Sequence, residues 1–137
     1  MSVLPDTPVW SAAFRRGQDG AGSYRQELLK LVNQGLVEII GPIRQEILSG
    51  IRERSKFEAV RDRLRSFPDL EIGTGDYEEA ARYYNLCRSA GIQGSFTDFV
   101  ICAVSVRCDL SIFTDDRDFV GYRKVLPIRL YEFERQT

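Results

Sequence analysis

Apolar residues follow two alternating patterns along the chain. Short unbroken runs at Val3-Leu4, "LVEII" (Leu36 to Ile40), "LEIG" (Leu70 to Gly73), "LSIFT" (Leu110 to Thr114) and "IRLYEF" (Ile128 to Phe133) read as strands. Between them the apolar positions return at the spacing that lines one face of a helix. Such stretches begin at Thr7 ("TPVWSAAFRR"), Ser23 ("SYRQELLKLVNQG"), Gly41-Pro42 (with Ile43, Ile47, Leu48 and Ile51), Ser55 ("SKFEAVRDRLRSF"), Asp76 ("DYEEAARYYNLCRSAG"), Ser95 to Asp98 (opening "TDFVICAVSV") and Asp118 ("DFVGYRKV"). Boundary chemistry agrees with the spacing. Thr7 before Pro8 predicts an N-cap followed by a proline suited to the first helical position. Ser23 with Gln26 and Ser55 with Glu58 have the capping-box interval, Asp76 with Glu79 marks another start, and Gly35 and Gly91 predict helix stops. Regular alternation of strand and helix predicts an α/β fold: a three-layer sandwich with a mainly parallel central sheet flanked by helices, residues 1–137 forming a single domain. In such sheets ligands collect beyond the carboxyl ends of the strands.

Composition narrows the chemistry. With 137 residues, 43% hydrophobic and 28% charged, the chain reads as a soluble globular domain long enough to bury a core without staples. Cys87, Cys102 and Cys108 lack CxxC spacing and fall inside apolar or helical patterns, so they read as reduced core residues. The start "MSVLPDTP" has no signal-peptide pattern and no window approaches the ~18 apolar residues of a membrane span, so a cytoplasmic protein is expected. A net charge of −1 argues against a general polyanion binder, although all but three of the 19 basic residues are arginine, whose fork suits phosphate. Histidine is absent, which excludes imidazole acid–base chemistry, Ser/His/Asp and Cys/His schemes, and His-ligated metals.

The acids carry the strongest signal. Asp6 follows the first strand, Glu46 lies in the first turns of the helix after "LVEII", Asp98 heads the apolar helix, and Asp115, Asp116 and Asp118 follow "LSIFT". All fall at one edge of a parallel sheet. Carboxylates converging there would repel one another unless a cation bound between them, and all-oxygen ligation selects Mg²⁺ or Mn²⁺. Helix N-termini near Asp98 and Glu46 would help to keep those acids ionised. Each acid also has a plainer role: Asp98 as a helix cap, Asp6 and Glu46 as solvated acids near helix starts, Asp115 and Asp118 as a charged turn around Arg117.

Three segments together resemble the PIN domain, and specifically the VapC-type ribonuclease toxins of prokaryotic toxin–antitoxin pairs. "VLPDTPVWSAAFR" resembles the family's opening strand followed by Asp-Thr/Ser-x-Val/Ile-Trp/Tyr, "GPIRQEILSGI" its helix with one glutamate, and "GSFTDFVICAVSVRCDLSIFTDDRDF" its long final signature. The resemblance implies an acidic quartet of Asp6, Glu46, Asp98 and Asp116, with Asp118 an additional acidic position, Asp115 at a variable one, and Thr7 and Thr114 as hydroxyls beside the site. It implies a Mg²⁺- or Mn²⁺-dependent endoribonuclease that hydrolyses RNA, tRNA or rRNA, leaving a 5′-phosphate and a 3′-hydroxyl. Asp6, Asp98 and Asp116 would hold one ion and Glu46 would assist a second. A cognate antitoxin protein and a homodimer are implied as partners. Pro5 departs from the family, which usually has an apolar strand residue there, and proline removes a ladder donor.

Arginines must grip phosphate in a protein of near-neutral charge. Arg15 and Arg16, beyond Asp6, and the cluster Arg44, Arg52, Arg54, Arg61, Arg63 and Arg65 are candidates; the alternative is a solvated helix face pairing with Glu53, Glu58 and Asp62. Trp10, Phe14 and Tyr24 are either an antitoxin groove or core. Two other function classes stay open. One is a catalytically inactive PIN-like binding or scaffold module. The other is a receiver-like phosphoryl-transfer pocket, disfavoured because only Lys124 lies near the late strand that should carry a lysine.

Overall fold

The computed structural model describes residues 1–14 and 22–134. All paired strands run parallel. β1 (Val3–Pro5) pairs with β4 (Ser111–Phe113), Leu4 opposite Ile112, and β4 pairs with β5 (Arg129–Leu130), Ile112 opposite Leu130. β2 (Ile39–Ile40) pairs with β3 (Asp69–Leu70), and a parallel bridge between Val3 and Val37 joins the two groups. The order across the molecule is therefore β3, β2, β1, β4, β5, and the sequence of strands reverses between β1 and β4. That reversal opens a crevice at the carboxyl ends of β1 and β4.

The ladders are shorter than the apolar runs that announce them. Ile72 and Phe133 pack on the core from outside the paired segments, so their apolar character reflects burial, while Leu36 and Tyr131 extend the ladders by one hydrogen bond each, to Val3 and Ile112. Pro5 causes no break at the site. Val3 directs its N–H and C=O to the Leu36–Glu38 side, and strand alternation sends Leu4 and Asp6 toward β4. The missing donor of Pro5 thus falls on the Val37 side, where the ladder stops at an isolated bridge, while the Asp6 N–H bonds to the Phe113 carbonyl at 2.8 Å.

Helices α1 (Thr7–Ala13), α2 (Gly22–Asn33), α3 (Gly41–Ser49), α4 (Arg54–Leu64), α5 (Thr74–Ser89), α6 (Phe96–Arg107) and α7 (Asp118–Arg123) connect and cover the strands. Every residue of β1 and β4 is buried, and since alternate side chains face opposite ways, both faces of the sheet are covered. Every residue of α6 from Phe99 to Ser105 is buried as well, as its lack of a polar face requires. Cys87 and Cys102 are buried and Cys108 half-buried, all as free thiols. Among the described residues no helix is long and apolar enough to cross a membrane.

Three helices end in one motif. After α2, α5 and α6 the residues Gly35, Gly91 and Asp109 take positive φ (70°, 77° and 57°). In each case the next N–H reaches back to a carbonyl of the last turn: Leu36 to Leu31, Ile92 to Cys87, and Leu110 to Ser105. The glycines were readable as stops; Asp109 was not, because aspartate adopts this conformation less often. Helix starts required more correction. Asp6, not Thr7, caps α1, and Pro8 is its second residue. α4 begins at Arg54, which puts Ser55 inside it with its hydroxyl bonded to Glu53, and α2 includes Ser23. α5 starts at Thr74, where Asp76 accepts from the Gly73 N–H in the third position.

Candidate active site

The end of β1 delivers Asp6. Its carboxylate accepts the Thr7 N–H at one oxygen (2.8 Å) and the Thr114 hydroxyl at the other (3.0 Å). Thr114, just past β4, in turn accepts the Asp116 N–H (3.0 Å), and Asp116 accepts the Asp118 N–H (2.9 Å). The turn "TDDRD" is thus folded by its own side chains: Asp116 lines the cleft, Asp118 is exposed but within reach of Asp98 and Asp116, and Asp115 is exposed outside the cluster. From the other flank, the Thr7 hydroxyl donates to Glu46 on α3 at 2.7 Å.

Asp98 is not the cap of its helix. Ser95 holds that position, its hydroxyl accepting the Asp98 N–H at 3.1 Å, so the Asp98 carboxylate is free of the capping duty and accepts the buried Tyr122 hydroxyl at 2.6 Å. Carboxylate oxygens of Asp98, Asp116 and Asp118 all lie within 4.8 Å of one another. Asp6, Thr7, Glu46, Asp98 and Asp116 line one cleft of about 750 Å³ together with Pro8, Ser11, Pro42, Gln45, Ser49 and Thr97. Arg15 and Arg16 lie outside the described residues.

Electrostatics follow from this packing. Burial pushes the Asp6 carboxyl up to about 6; the Thr7 and Thr114 hydrogen bonds oppose it, and the charges of Asp98 and Asp116 add to it. Burial likewise raises Asp98, against the Tyr122 and Ser95 hydrogen bonds and with help from Asp116 and Asp118. Burial thus opposes the help that the N-terminus of α6 gives to ionised Asp98. Tyr122 is raised by burial and by its bond to Asp98, so it remains a phenol and a donor. No lysine or arginine lines the cleft among the described residues. A larger cleft, about 940 Å³ around the start of α5 and the end of α6, differs in this respect: Arg107 pairs with Asp76 and Arg82 with Glu79 there.

Arg44, Arg54, Arg61, Arg63 and Arg65 of the second proposed grip each have an intramolecular partner. Arg44 pairs with Asp69 and donates to the Leu64 and Phe67 carbonyls, which locks α3 to the end of α4. Arg54 pairs with Glu58, Arg61 and Arg65 with Asp62, and Arg63 lies over the Phe14 ring. Trp10 is buried edge-on against Phe67 and belongs to the core, while Tyr24, half-buried, stacks with Phe113 at its margin. Tyr122 is the residue sequence reasoning missed. A tyrosine on the apolar face of "DFVGYRKV" needs a partner for its hydroxyl, and that was the available signal.

Comparison with known proteins adds a family and a fold. The PIN domain family model matches residues 3–125. No curated protein sequence matches the chain. The chain resembles FitAcB from Neisseria gonorrhoeae (TM-score 0.76, 18% identity, covering 95% of this chain and 96% of that one). It also resembles VapBC2 from Rickettsia felis, solved with a DNA fragment from its promoter (TM-score 0.76, 14% identity, 98% and 100% covered). A structure of FitAB bound to the IR36 DNA fragment superimposes with a TM-score of 0.74 at 15% identity, covering 98% of this chain and 99% of that one. At these identities the likeness is one of fold.

Proposed function

The chain belongs to the PIN domain family, and from that premise we propose that it is a divalent-metal-dependent endoribonuclease, the cytoplasmic toxin of a type II toxin–antitoxin pair. The single domain spans residues 1–137, works as a homodimer and is held inactive by a cognate antitoxin. The observation that carries this reading is the uncompensated acidic cleft: Asp6, Glu46, Asp98 and Asp116 face it, Asp118 joins the cluster, and no basic side chain among the described residues answers them. A site of carboxylate oxygens alone, without histidine or thiolate, suits Mg²⁺ or Mn²⁺. Asp6 and Asp98 carry raised proton affinities that a bound cation would reverse. Asp98, Asp116 and Asp118 would hold the ion with Asp6, and Glu46 would serve a second.

A bound divalent ion supplies positive charge that activates water and stabilises the phosphate undergoing in-line attack. The protein's own residues do the positioning. Thr114 ties Asp6 to Asp116 across the carboxyl ends of β1 and β4, Tyr122 fixes Asp98 in rotation, and Thr7 keeps Glu46 against α1. Each hydrogen bond to Asp98, Asp116 and Glu46 engages one carboxylate oxygen and leaves the second for a cation. The test is incubation of the purified protein with a total tRNA and rRNA pool under Mg²⁺, Mn²⁺ or chelator, beside Asp98→Asn. Metal-dependent cuts absent from the variant are expected; binding without cutting in either protein would make the chain an inactive scaffold and refute the enzyme.

A further inference from the structure

α7 leaves the acidic cluster at Asp118, and its two sides differ. Phe119 and Tyr122 are buried, so Arg117, Val120 and Lys124, at intervals of three and four, share the opposite, exposed face. Arg117 and Lys124 bound the helix and themselves keep helical φ and ψ (−67°, −15° and −65°, −24°), which sets them about 10 Å apart along its axis. The charged turn expected around Arg117 does not form. Its neighbours Asp116 and Asp118 turn their oxygens toward Asp98, and no carboxylate among the described residues pairs with the guanidinium. Of the described basic side chains, Arg25, Lys30, Arg52, Lys56, Arg117 and Lys124 have no intramolecular partner, while Arg123 pairs with Glu132 at 3.7 Å. Arg15, Arg16 and Arg135 lie outside the described residues. Arg25 and Lys30 are on α2 and Lys56 on α4, neither of which lines the cleft; Arg52 comes three residues after Ser49 of the α3 wall. Arg117 is the one among these six that adjoins an acid of the cluster in the chain.

Resting on the nuclease reading of the cleft, we propose that the outer face of α7 is a phosphate track for the substrate strand: Arg117 holds the phosphate next to the one at the acids, and Lys124 holds one farther along. The charge balance of the site calls for such a grip. Asp6, Glu46, Asp98, Asp116 and Asp118 gather at the reaction centre, and no lysine or arginine lines the cleft among the described residues. A divalent ion answers the phosphate that it contacts. The flanking phosphates still face carboxylates from within a screening length of about 8 Å, where salt shields them little. A cation at the rim offsets that repulsion, and Arg117 supplies it without first breaking an ion pair, as Arg44 or Arg107 would have to. Its planar fork suits two phosphate oxygens, and Lys124 adds a point charge. A line of exposed cations that starts at the acids fits the regular charge spacing of a nucleic-acid backbone better than the scattered carboxylates of a protein partner. Such contacts fix the register of the strand and read no sequence.

The experiment measures binding of a random-sequence pool of short single-stranded ribo-oligonucleotides by fluorescence anisotropy in EDTA, where metal-dependent cutting is silent, from low to physiological KCl. For a single strand, each phosphate contact contributes about 0.7 to the slope of log affinity against log salt. Arg117→Ala should therefore flatten the wild-type slope by about 0.7, and the double variant with Lys124→Ala by about 1.4. Arg117→Lys keeps the charge and should keep the slope. Arg25→Ala makes the same change in net charge on α2, away from the cleft, and should leave the slope intact. Under Mg²⁺, Arg117→Ala should raise KM roughly 2- to 5-fold, the size of an exposed charge pair, and more than it lowers kcat. Single-stranded DNA should show the same loss of slope, since it carries the same phosphates. Equal slopes for wild type and Arg117→Ala, an equal loss in Arg25→Ala, a loss confined to RNA, or no binding by wild type would each overturn the track. A flattened slope in Arg117→Ala beside a wild-type protein that cuts no RNA under any metal would retain the track and refute only the nuclease.

Discussion

Asp6→Asn should make the ion-free protein more stable while disabling the site. The carboxyl is 5% exposed and titrates at about 6 instead of the ordinary 3.8, so the ionised form is disfavoured in the fold with little solvent to relieve it. At ~1.4 kcal/mol per tenfold change in proton affinity, ionised Asp6 costs about 3 kcal/mol above pH 6. Asparagine keeps the acceptor for the Thr7 N–H but presents an amide nitrogen to Thr114, whose lost bond costs about 1 kcal/mol. The net gain of about 2 kcal/mol corresponds to a rise of roughly 6 °C in Tm for a chain of this length. The sign with pH follows from a raised folded-state value. Between 3.8 and about 6 the folded protein keeps a proton that the unfolded chain has lost, so wild-type stability falls as pH rises through this window and levels off above it. The variant lacks that slope. Thermal melts by circular dichroism in EDTA, from pH 3.5 to 8, should show the variant about 6 °C above wild type beyond about pH 6 and roughly 3 °C below it under about pH 3.8, where only the lost Thr114 bond remains, and Mn²⁺ should raise wild type far more than the variant. A variant melting at or below wild type in EDTA at pH 7.5 would refute the claim that the buried acid is held at a cost to the fold.

Tyr122→Phe removes the stronger of the hydrogen bonds that lower Asp98; the carboxyl should rise further and Mn²⁺ affinity fall about 10- to 100-fold, read by isothermal titration calorimetry. Gly94→Ala would place a Cβ 2.4 Å from the Tyr122 hydroxyl oxygen and 2.9 Å from the Phe99 ring, so urea unfolding should show a loss of about 1–3 kcal/mol, partly recovered when Tyr122→Phe is added. Arg107→Ala strips Asp76, 6% exposed, of its ion-pair partner and should cost about 1–3 kcal/mol at neutral pH. Arg107 holds the Asp76 carboxyl below its ordinary 3.8, so the pair's contribution is present above that pH and is lost as pH falls through the lowered value; urea midpoints at pH 7 and pH 3 should show the gap narrowing.

Much of the site was legible because its acids follow strands or open helices, and both positions show in the hydrophobic pattern. Asp6, Asp98 and Asp116 were placed at one edge of a parallel sheet from their neighbours alone, and that is where β1, α6 and β4 deliver them. What local pattern misjudged were decisions between near-equal neighbours. Thr7 and Asp6 can both cap a helix, and Asp6 does so because its N–H is held by Phe113 in the sheet. Asp98 and Ser95 compete in the same way, and Ser95 wins because Tyr122 already engages the Asp98 carboxylate. Arg44 looked like a phosphate grip because nothing nearby in sequence reveals that Asp69, Leu64 and Phe67 surround it.

The order of amino acids alone determined the alternation of strand and helix, the stops at Gly35 and Gly91, and the set of carboxylates at one edge, since each depends on side chains within a turn or a strand of one another. Only the tertiary structure decided which acids meet, which are buried, and what holds them: the pairing of β1 with β4, and the reach of Thr114 to Asp6 and of Tyr122 to Asp98. These contacts join residues remote in the chain, and their strength comes from the exclusion of water. No local pattern records that exclusion, because burial belongs to the packed molecule and not to any segment of it.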